Sequence, residues 1–278
     1  MVTSDPIPSG RPLVVTTWLS PGLPLGLFQA ITDHLGEVLG VRTELTVESK
    51  ISGPLKPEDD RFTLGLTDVG FLCPPAYVWL RRPPVDSVRL APLAPVYDDP
   101  RNDGRPVYFS DIVVRLDAPF DRFDDLRGAR FGYNDPSSLS GYLSVLGRLA
   151  ERGLDTGFFG RFERVGGHRD ALERILDGRL DAAAIDANVY RAWKADNPVA
   201  AGGLRSIDAL GPHPVQPVVV RTALADRLVE PIGAALADPM LVDRVRSYGV
   251  VGFAPIADAD FDMVADKARL LTESAAPS

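Results

Sequence analysis

The chain has 278 residues, 45% of them hydrophobic and 24% charged, so it can bury a substantial core and is not intrinsically disordered. Its formal net charge of −8 argues against a general nucleic-acid-binding surface. A single cysteine excludes an intrachain disulfide, and three widely spaced histidines argue against a histidine-rich metal site. The length suits two ordinary domains or one large α/β domain.

Hydrophobic patterning in the first half predicts strands that alternate with helices. The predicted elements are a strand at 12–19, a helix at 25–39, strands at 41–47 and 69–72, a helix at 76–81, an extended segment at 88–96 and a strand at 107–115. Residues 1–11 are a polar tail that contains prolines. A short run of apolar, β-branched residues such as the one at 12–19 is typical of a buried strand.

The second half repeats the alternation. Strands are predicted at 129–133, 162–165, 181–185, 204–207 and 217–220, with helices over 139–149, over 171–176 and up to about 195, and a mainly helical segment from Thr222 onward. Strands that alternate with helices indicate mostly parallel sheets flanked by helices. We therefore predict an α/β protein.

The N-terminus and the hydropathy bear on where the protein works. No run of about 18 apolar residues occurs, which argues against a membrane-spanning helix. Residues 1–12 lack a basic segment followed by an apolar one, so they do not read as a secretory signal. As written, the chain is expected to be cytoplasmic; it is periplasmic or extracellular if a signal was removed from it.

Three strand ends in the second half carry polar residues. Ser138, Ser140 and Gly141 follow the strand at 129–133, His168 follows the strand at 162–165, and Asp186 follows the strand at 181–185. Each segment opens a helix, where free N–H groups and hydroxyls form a cradle for anions. Taken singly, a helix cap explains Asp186 and the serines equally well. Because ligands of open α/β sheets bind at the carboxyl ends of strands, the three together favour an anion site.

An ordered set of motifs runs through the middle of the chain. The motifs are Tyr108-Phe-Ser110-Asp-Ile-Val-Val-Arg, Asp125-Leu-Arg-Gly128, Tyr133-Asn-Asp-Pro-Ser-Ser138-Leu-Ser140-Gly141-Tyr142, Gly167-His168 and Gly178-Arg-Leu-Asp181-Ala-Ala-Ala-Ile-Asp186. Together with Asp68-Val-Gly-Phe-Leu-Cys-Pro-Pro-Ala-Tyr77, they resemble the phosphonate/phosphate/phosphite substrate-binding proteins of ABC importers. The resemblance covers about residues 12–255.

This resemblance implies the type II periplasmic-binding fold, in which two lobes enclose a ligand cleft. Residues 1–108 and 214–278 would form lobe one, and residues 109–213 would form lobe two. The chain would cross between the lobes near Tyr108 and at 212–217, where a hinge would allow closure.

Site residues also follow from the resemblance. Ser138, Leu139, Ser140 and Gly141 match the family's anion grip, in which Leu139 stands where phosphonate binders often carry a hydroxyl residue. The match extends to four further positions: His168 as the ligand histidine, Tyr77 and Tyr108 as cleft tyrosines, and Asp186 near an acidic position that recognises an amino group. Leu139 also fits the apolar face of its helix, so its side chain can point inward instead.

The predicted function is binding of a small phosphonate- or phosphate-like oxyanion by a solute-binding protein. We expect a monomer without metal or organic cofactor, with an ABC transporter permease as a partner and no nucleic acid. No catalytic motif occurs, so an enzyme is not the first expectation. The alternatives are a cytoplasmic enzyme of the same fold, acting on a small anionic metabolite by acid–base chemistry, and a ligand-sensing module.

Overall fold

The computed structural model describes residues 10–274. Most of the predicted N-terminal tail, 1–11, therefore lies outside the described residues, and so do the last four residues of the segment 214–278. Twelve strands are numbered along the chain. They are β1 (Leu13–Thr17), β2 (Thr43–Val47), β3 (Val69–Phe71), β4 (Val88–Leu90), β5 (Leu93–Tyr97), β6 (Val107–Arg115), β7 (Arg130–Tyr133), β8 (Arg161–Arg164), β9 (Ala182–Asp186), β10 (Leu204–Pro214), β11 (Val218–Arg221) and β12 (Val250–Pro255).

The α-helices of the described part are numbered in the same way. They are α1 (Leu25–Leu39), α2 (Pro74–Leu80), α3 (Ser144–Ala150), α4 (His168–Leu176), α5 (Ala187–Asp196), α6 (Pro198–Ala201), α7 (Ala225–Leu236), α8 (Pro239–Val245) and α9 (Asp262–Ser274). A π-helical turn, Leu139–Leu143, runs directly into α3. Within residues 10–274, no helix is long and apolar enough to cross a membrane.

The chain divides into two compact units. Unit 1 contains the residues up to Val107 together with Pro214–Asp262, and unit 2 contains Tyr108–His213 together with the residues from Met263 onward. We expected all of residues 214–278 to belong to the same lobe as residues 1–108. Helix α9 departs from that expectation, because the residues from Met263 onward belong to unit 2. In unit 2 the side chain of Lys267 lies against α3, where a Cβ built on Gly147 would be 2.8 Å from its amino nitrogen.

Unit 1 contains a five-stranded sheet in the order β2-β1-β3-β11-β4. Strands β1, β2 and β3 are parallel, and β11 pairs antiparallel with both β3 and β4. Four strands therefore share one direction, and β11 runs against them. The sheet is mostly parallel, as predicted, with one antiparallel strand, β11, which comes from a distant part of the sequence and lies between β3 and β4.

A buried carboxylate stabilises this sheet at the start of β3. Asp68 is fully buried, and its two oxygens accept hydrogen bonds at 2.5 and 2.7 Å from the guanidinium of Arg11. Arg221, at the end of β11, forms a second ion pair with Asp68 at 3.2 Å, and the backbone N–H of Val14 donates to it at 3.1 Å. The charge of Asp68 is thus neutralised inside unit 1 by the chain's own arginines.

Unit 2 contains the second five-stranded sheet, in the order β10-β6-β9-β7-β8. Two apolar clusters of this unit include residues from both faces of the sheet. One contains Ile112, Phe131, Val145 and Leu149, and the other contains Val113, Leu172, Ile185 and Trp193. Both clusters include residues of β6 and β9, because successive side chains of a strand point to opposite faces of the sheet.

Most predicted elements of the chain are present, and three differ from expectation. The segment predicted as extended at 88–96 is two strands, β4 and β5, which belong to different sheets. The strand predicted at 204–207 continues as β10 to Pro214. The segment after Thr222 is not all helical, because β12 pairs antiparallel with β5.

Candidate functional site

The sheet of unit 2 gathers polar side chains at one edge. Strands β7, β8 and β9 are parallel, so their carboxyl ends meet at that edge. Strand β6 is antiparallel to β9, with Ser110 opposite Asp186, so the beginning of β6 lies at the same edge. The parallel arrangement explains why segments far apart in sequence come together here.

The loop after β7 is held by its own side chains. The buried carboxylate of Asp135 accepts hydrogen bonds from the backbone N–H of Ser137, at 2.8 Å, and from the Ser137 hydroxyl. The amide nitrogen of Asn134 donates to the other oxygen of Asp135 at 3.2 Å. Asp135 therefore fixes the path of the chain into the following helical turn.

Ser138 begins that turn. Its hydroxyl oxygen accepts a hydrogen bond from the backbone N–H of Gly141 at 3.0 Å, so Ser138 is a helix cap and still has its own hydroxyl hydrogen to donate. Gly141 is packed tightly: a Cβ there would collide with the side chain of Asn134 and lie 3.1 Å from Cε1 of His168. Glycine is the residue that lets the imidazole approach the turn so closely.

Ser140 joins the turn to the histidine. Its hydroxyl oxygen lies 3.3 Å from Nε2 of His168. Its carbonyl oxygen accepts from the hydroxyls of Ser110 and Ser144, each at 2.6 Å. All three serines are buried, so the backbone of Ser140 is fixed from two sides while its own hydroxyl faces the imidazole.

His168 is the first residue of α4, after two glycines of which Gly166 has a φ of +98°. Burial is the largest influence on the ring and lowers its pKa to about 4, although the charge of Asp135 and the backbone of Ala184 act in the opposite direction. The imidazole is therefore neutral at neutral pH, with one ring nitrogen that donates and one that accepts.

Two other predicted site residues have structural contacts of their own. Leu139 is fully buried, as its place on the apolar helix face predicts. The carboxylate of Asp186 caps α5 by accepting from the backbone N–H groups of Asn188 and Val189, at 2.8 and 3.3 Å. For both residues a contact with ligand stays a prediction.

The two predicted tyrosines belong to different units. Tyr108 begins unit 2, is 1% exposed, and packs with its ring edge-to-face against His213 at 5.6 Å. Tyr77 lies on α2 in unit 1, where its hydroxyl donates to Asp258 and its ring contacts Phe261. Burial raises the pKa of Tyr77, so its hydroxyl stays protonated. Their assignment to the ligand stays a prediction.

The residues that the sequence reasoning missed are Ser110, Ser144, Asn134 and Asp135. Ser144 lies four positions after Ser140, a spacing that places both on one helix face and that was visible in the sequence. Ser110 reaches the site only through the register of β6 with β9, which hydrophobic patterning does not show. In the described part of the chain, no group of three or more His, Cys, Asp or Glu residues is arranged to hold a metal.

A family model matches residues 13–261, which is most of the chain; it describes the periplasmic substrate-binding protein of phosphonate ABC transporters. Solved structures with the same fold include a binding protein of a phosphonate ABC transporter from Pseudomonas aeruginosa. That chain is 16% identical, with a TM-score of 0.78 over 96% of this chain and 90% of the other.

Two further structures extend the comparison. PhnD1 from Prochlorococcus marinus, in complex with methylphosphonate, is 15% identical, with a TM-score of 0.77 over 94% of this chain and 98% of the other. The periplasmic aliphatic sulphonate-binding protein SsuA from Escherichia coli is 15% identical, with a TM-score of 0.62 over 96% and 88% of the two chains. These likenesses show the type II periplasmic-binding fold.

Proposed function

Since the chain belongs to the family of phosphonate substrate-binding proteins of ABC transporters, we propose that it binds a small phosphonate- or phosphate-like oxyanion at the serine–histidine edge of unit 2. The observation that carries this proposal is the convergence of Ser138, Ser140 and His168 at the carboxyl ends of two parallel strands. Solute binding is the function of the family.

The hydrogen bonds of the edge suit an acceptor-rich ligand. The Ser138 oxygen already accepts from Gly141, so its remaining polar capacity is a donor. The Ser140 hydroxyl and the His168 imidazole are joined by one hydrogen bond, between the hydroxyl oxygen and Nε2. The two groups together have a second polar hydrogen, which can be donated to a ligand. Oxygens of a phosphonate accept such hydrogen bonds, and bonds to a charged acceptor are the stronger kind.

The helix N-termini at the edge also favour an anion. The carboxylates of Asp135 and Asp186 accept hydrogen bonds from backbone N–H groups of their own loop and helix. These two side chains therefore have hydrogen-bonding partners within the protein. The helical turn after Ser138 and helix α4 both begin at the edge, and the partial positive charge of helix N-termini attracts negative ligands.

The test is calorimetric titration of the purified chain with methylphosphonate and with inorganic phosphate. The double variant Ser140→Ala/His168→Ala should bind more than tenfold more weakly, because it removes two donors to a charged acceptor. Ser137→Ala is the matched control, since the Ser137 hydroxyl bonds to Asp135 within the loop, and it should change affinity less than the double variant. Equal affinity of the double variant and the wild type would remove the proposed site.

Recovery of the ligand tests the alternative functions. We propose that methylphosphonate bound by the protein is released chemically unchanged, as expected of a transport receptor. A product detected by phosphorus NMR after long incubation would instead support an enzyme.

The partner and the compartment follow from the family, whose description is that of a periplasmic component. We propose that the chain works outside the cytoplasm, delivers its ligand to a permease and acts as a monomer. Cell fractionation of the natural host tests the compartment, and light scattering of the purified chain tests the monomer. Recovery of the native protein in the cytosolic fraction alone would contradict the transport role.

A further inference from the structure

Two buried hydroxyls of unit 2 lie next to the serine–histidine edge. Ser110, on β6, and Ser144, the first residue of α3, are 0% and 1% exposed. Each hydroxyl donates to the carbonyl oxygen of Ser140 at 2.6 Å. A hydroxyl has one hydrogen, so both serines use theirs on this carbonyl and keep none for a ligand. Any effect of the two serines on ligand binding must therefore pass through Ser140.

The carbonyl of Ser140 receives side-chain donors because the turn that contains it is not an α-helix. In an α-helix the backbone N–H of Ser144 would donate to this carbonyl, four residues earlier. Here Leu139–Leu143 is a π-helical turn, and that N–H donates to the carbonyl of Leu139 instead. The hydroxyls of Ser144 and Ser110 take the place of the displaced donor. Single π-helical turns within helices are frequent at functional sites.

The same peptide group is also bound at its other end. The backbone N–H of Gly141, which belongs to the peptide bond after Ser140, donates to the hydroxyl oxygen of Ser138 at 3.0 Å. A peptide group is planar, so its carbonyl and its N–H cannot turn independently. The donors on the carbonyl therefore also fix the direction of this N–H and the oxygen that it binds. Hydrogen bonds in such a chain polarise one another, which makes the Ser138 hydroxyl a better donor.

The side chain of Ser140 depends on the same peptide group. Its hydroxyl oxygen lies 3.3 Å from Nε2 of His168. The ring is packed closely against the turn, because a Cβ built on Gly141 would lie 3.1 Å from Cε1 of His168. A rotation of the peptide group would therefore move the Ser140 hydroxyl relative to the imidazole.

We propose that Ser110 and Ser144 are positioning residues of the anion site. They hold the peptide group between Ser140 and Gly141, so that the hydroxyls of Ser138 and Ser140 are already oriented when the ligand arrives. This inference rests on the proposed function, because it takes these two hydroxyls as the ligand's donors. Donors that are oriented in advance raise the affinity, since the ligand does not have to order them.

Calorimetric titration with methylphosphonate compares the wild type with the double variant Ser110→Ala/Ser144→Ala. We expect the affinity to fall about tenfold or more, because the hydroxyls at the edge lose their fixed direction. The matched control is Ser87→Ala, which removes a buried hydroxyl of unit 1 that has no partner in the part of the chain that the structure describes. Ser87→Ala should leave the affinity unchanged. Each titration is run well below the melting temperature of the variant, so that a loss of stability alone does not alter the affinity.

Histidine NMR provides a second measurement, which needs no ligand. The chain has three histidines, so the ring ¹⁵N signals of His168 can be assigned by substitution. The Nε2 signal depends on the hydrogen bond with the Ser140 hydroxyl. We expect the double variant to shift this signal in the same direction as Ser140→Ala does, and Ser87→Ala to leave it in place.

Either of two results would overturn the inference. One is a double variant that binds methylphosphonate within about twofold of the wild type. The other is an unchanged His168 signal in the double variant, because the two serines then do not act through Ser140. If the wild type binds neither methylphosphonate nor phosphate, the proposed function fails, and the His168 signal alone decides whether Ser110 and Ser144 hold Ser140 in place.

Discussion

Asp68 in unit 1 and two histidines in unit 2 show two different ways of holding an ionisable side chain away from water. In unit 1, Asp68 is fully buried as a charge and is neutralised by Arg11 and Arg221. In unit 2, desolvation of the ring keeps the half-buried His168 and the buried His213 neutral. A buried charge that is paired within the chain is costly to leave without its partner, whereas a neutral hydrogen-bond donor at the end of a strand remains able to bind a charged ligand.

The largest effect is expected where the internal pairing is broken. Asp68→Ala leaves two guanidinium groups without their buried partner and should cost about 3–5 kcal/mol of stability. Calorimetric melting of the variant measures it. The matched control is Glu37→Ala, which removes an exposed ion pair with Arg244 and should change stability far less, because solvent screens that pair. Similar losses in the two variants would contradict the contrast between buried and exposed charges.

A smaller loss of stability is expected when a hydroxyl group is introduced next to the serine–histidine edge of unit 2. Leu139→Thr restores a hydroxyl where phosphonate binders often have one, but this side chain is fully buried. We expect a loss of about 2–3 kcal/mol of stability, from the shorter side chain and the buried hydroxyl, with no gain in methylphosphonate affinity. Tighter binding by the variant would show that residue 139 faces the ligand after all.

Acid should lower the stability of the fold, because His168 and His213 are neutral in the folded protein and take up protons more readily when it unfolds. The folded pKa values of about 4 for His168 and about 3 for His213 lie below the usual 6.5, so the unfolded chain binds more protons over that interval. Stability is therefore fully present above about pH 6.5 and falls as the pH drops, by at most about 1.4 kcal/mol per pH unit for each histidine.

Melting temperatures across that interval measure the effect. Removing one titrating ring with His213→Gln should make the decline shallower. A decline as steep as that of the wild type would show that His213 does not contribute to it.

The smallest effect is expected at Asp186. Asparagine is as good a helix cap as aspartate, so Asp186→Asn should keep the α5 cap and change stability by a few tenths of a kcal/mol. Affinity for methylphosphonate, which has no amino group, should be unchanged. Titration with 2-aminoethylphosphonate decides whether this carboxylate also recognises a ligand, because a selective tenfold loss would require such a contact.

Much of the fold was predictable because hydrophobic periodicity and the residues at strand ends can be read from short stretches of sequence. The helix over 25–39 and the strand at 107–115 have the predicted bounds. The strand β12 was missed because Val250–Pro255 forms its pairs with β5, about 150 residues earlier, and the sequence between them carries no signal of that partner.

The candidate site was predicted to a similar extent. Ser138, Ser140 and His168 follow strands, so their meeting could be inferred from the rule that parallel strands end at one edge. Ser110 could not, since its position depends on the antiparallel register with Asp186.

The placement of α9 has a consequence for synthesis. Unit 1 needs β11, which is made after all of unit 2 up to His213, and unit 2 needs residues from Met263 onward. Unit 1 is complete only once Asp262 has been made and unit 2 only once the segment from Met263 follows, so contacts of long sequence separation must wait for these segments. A nascent chain with this connectivity stays open to chaperones until late in its synthesis, and truncation at the start of α9 removes the last segment of unit 2 while it leaves the segments of unit 1 in place.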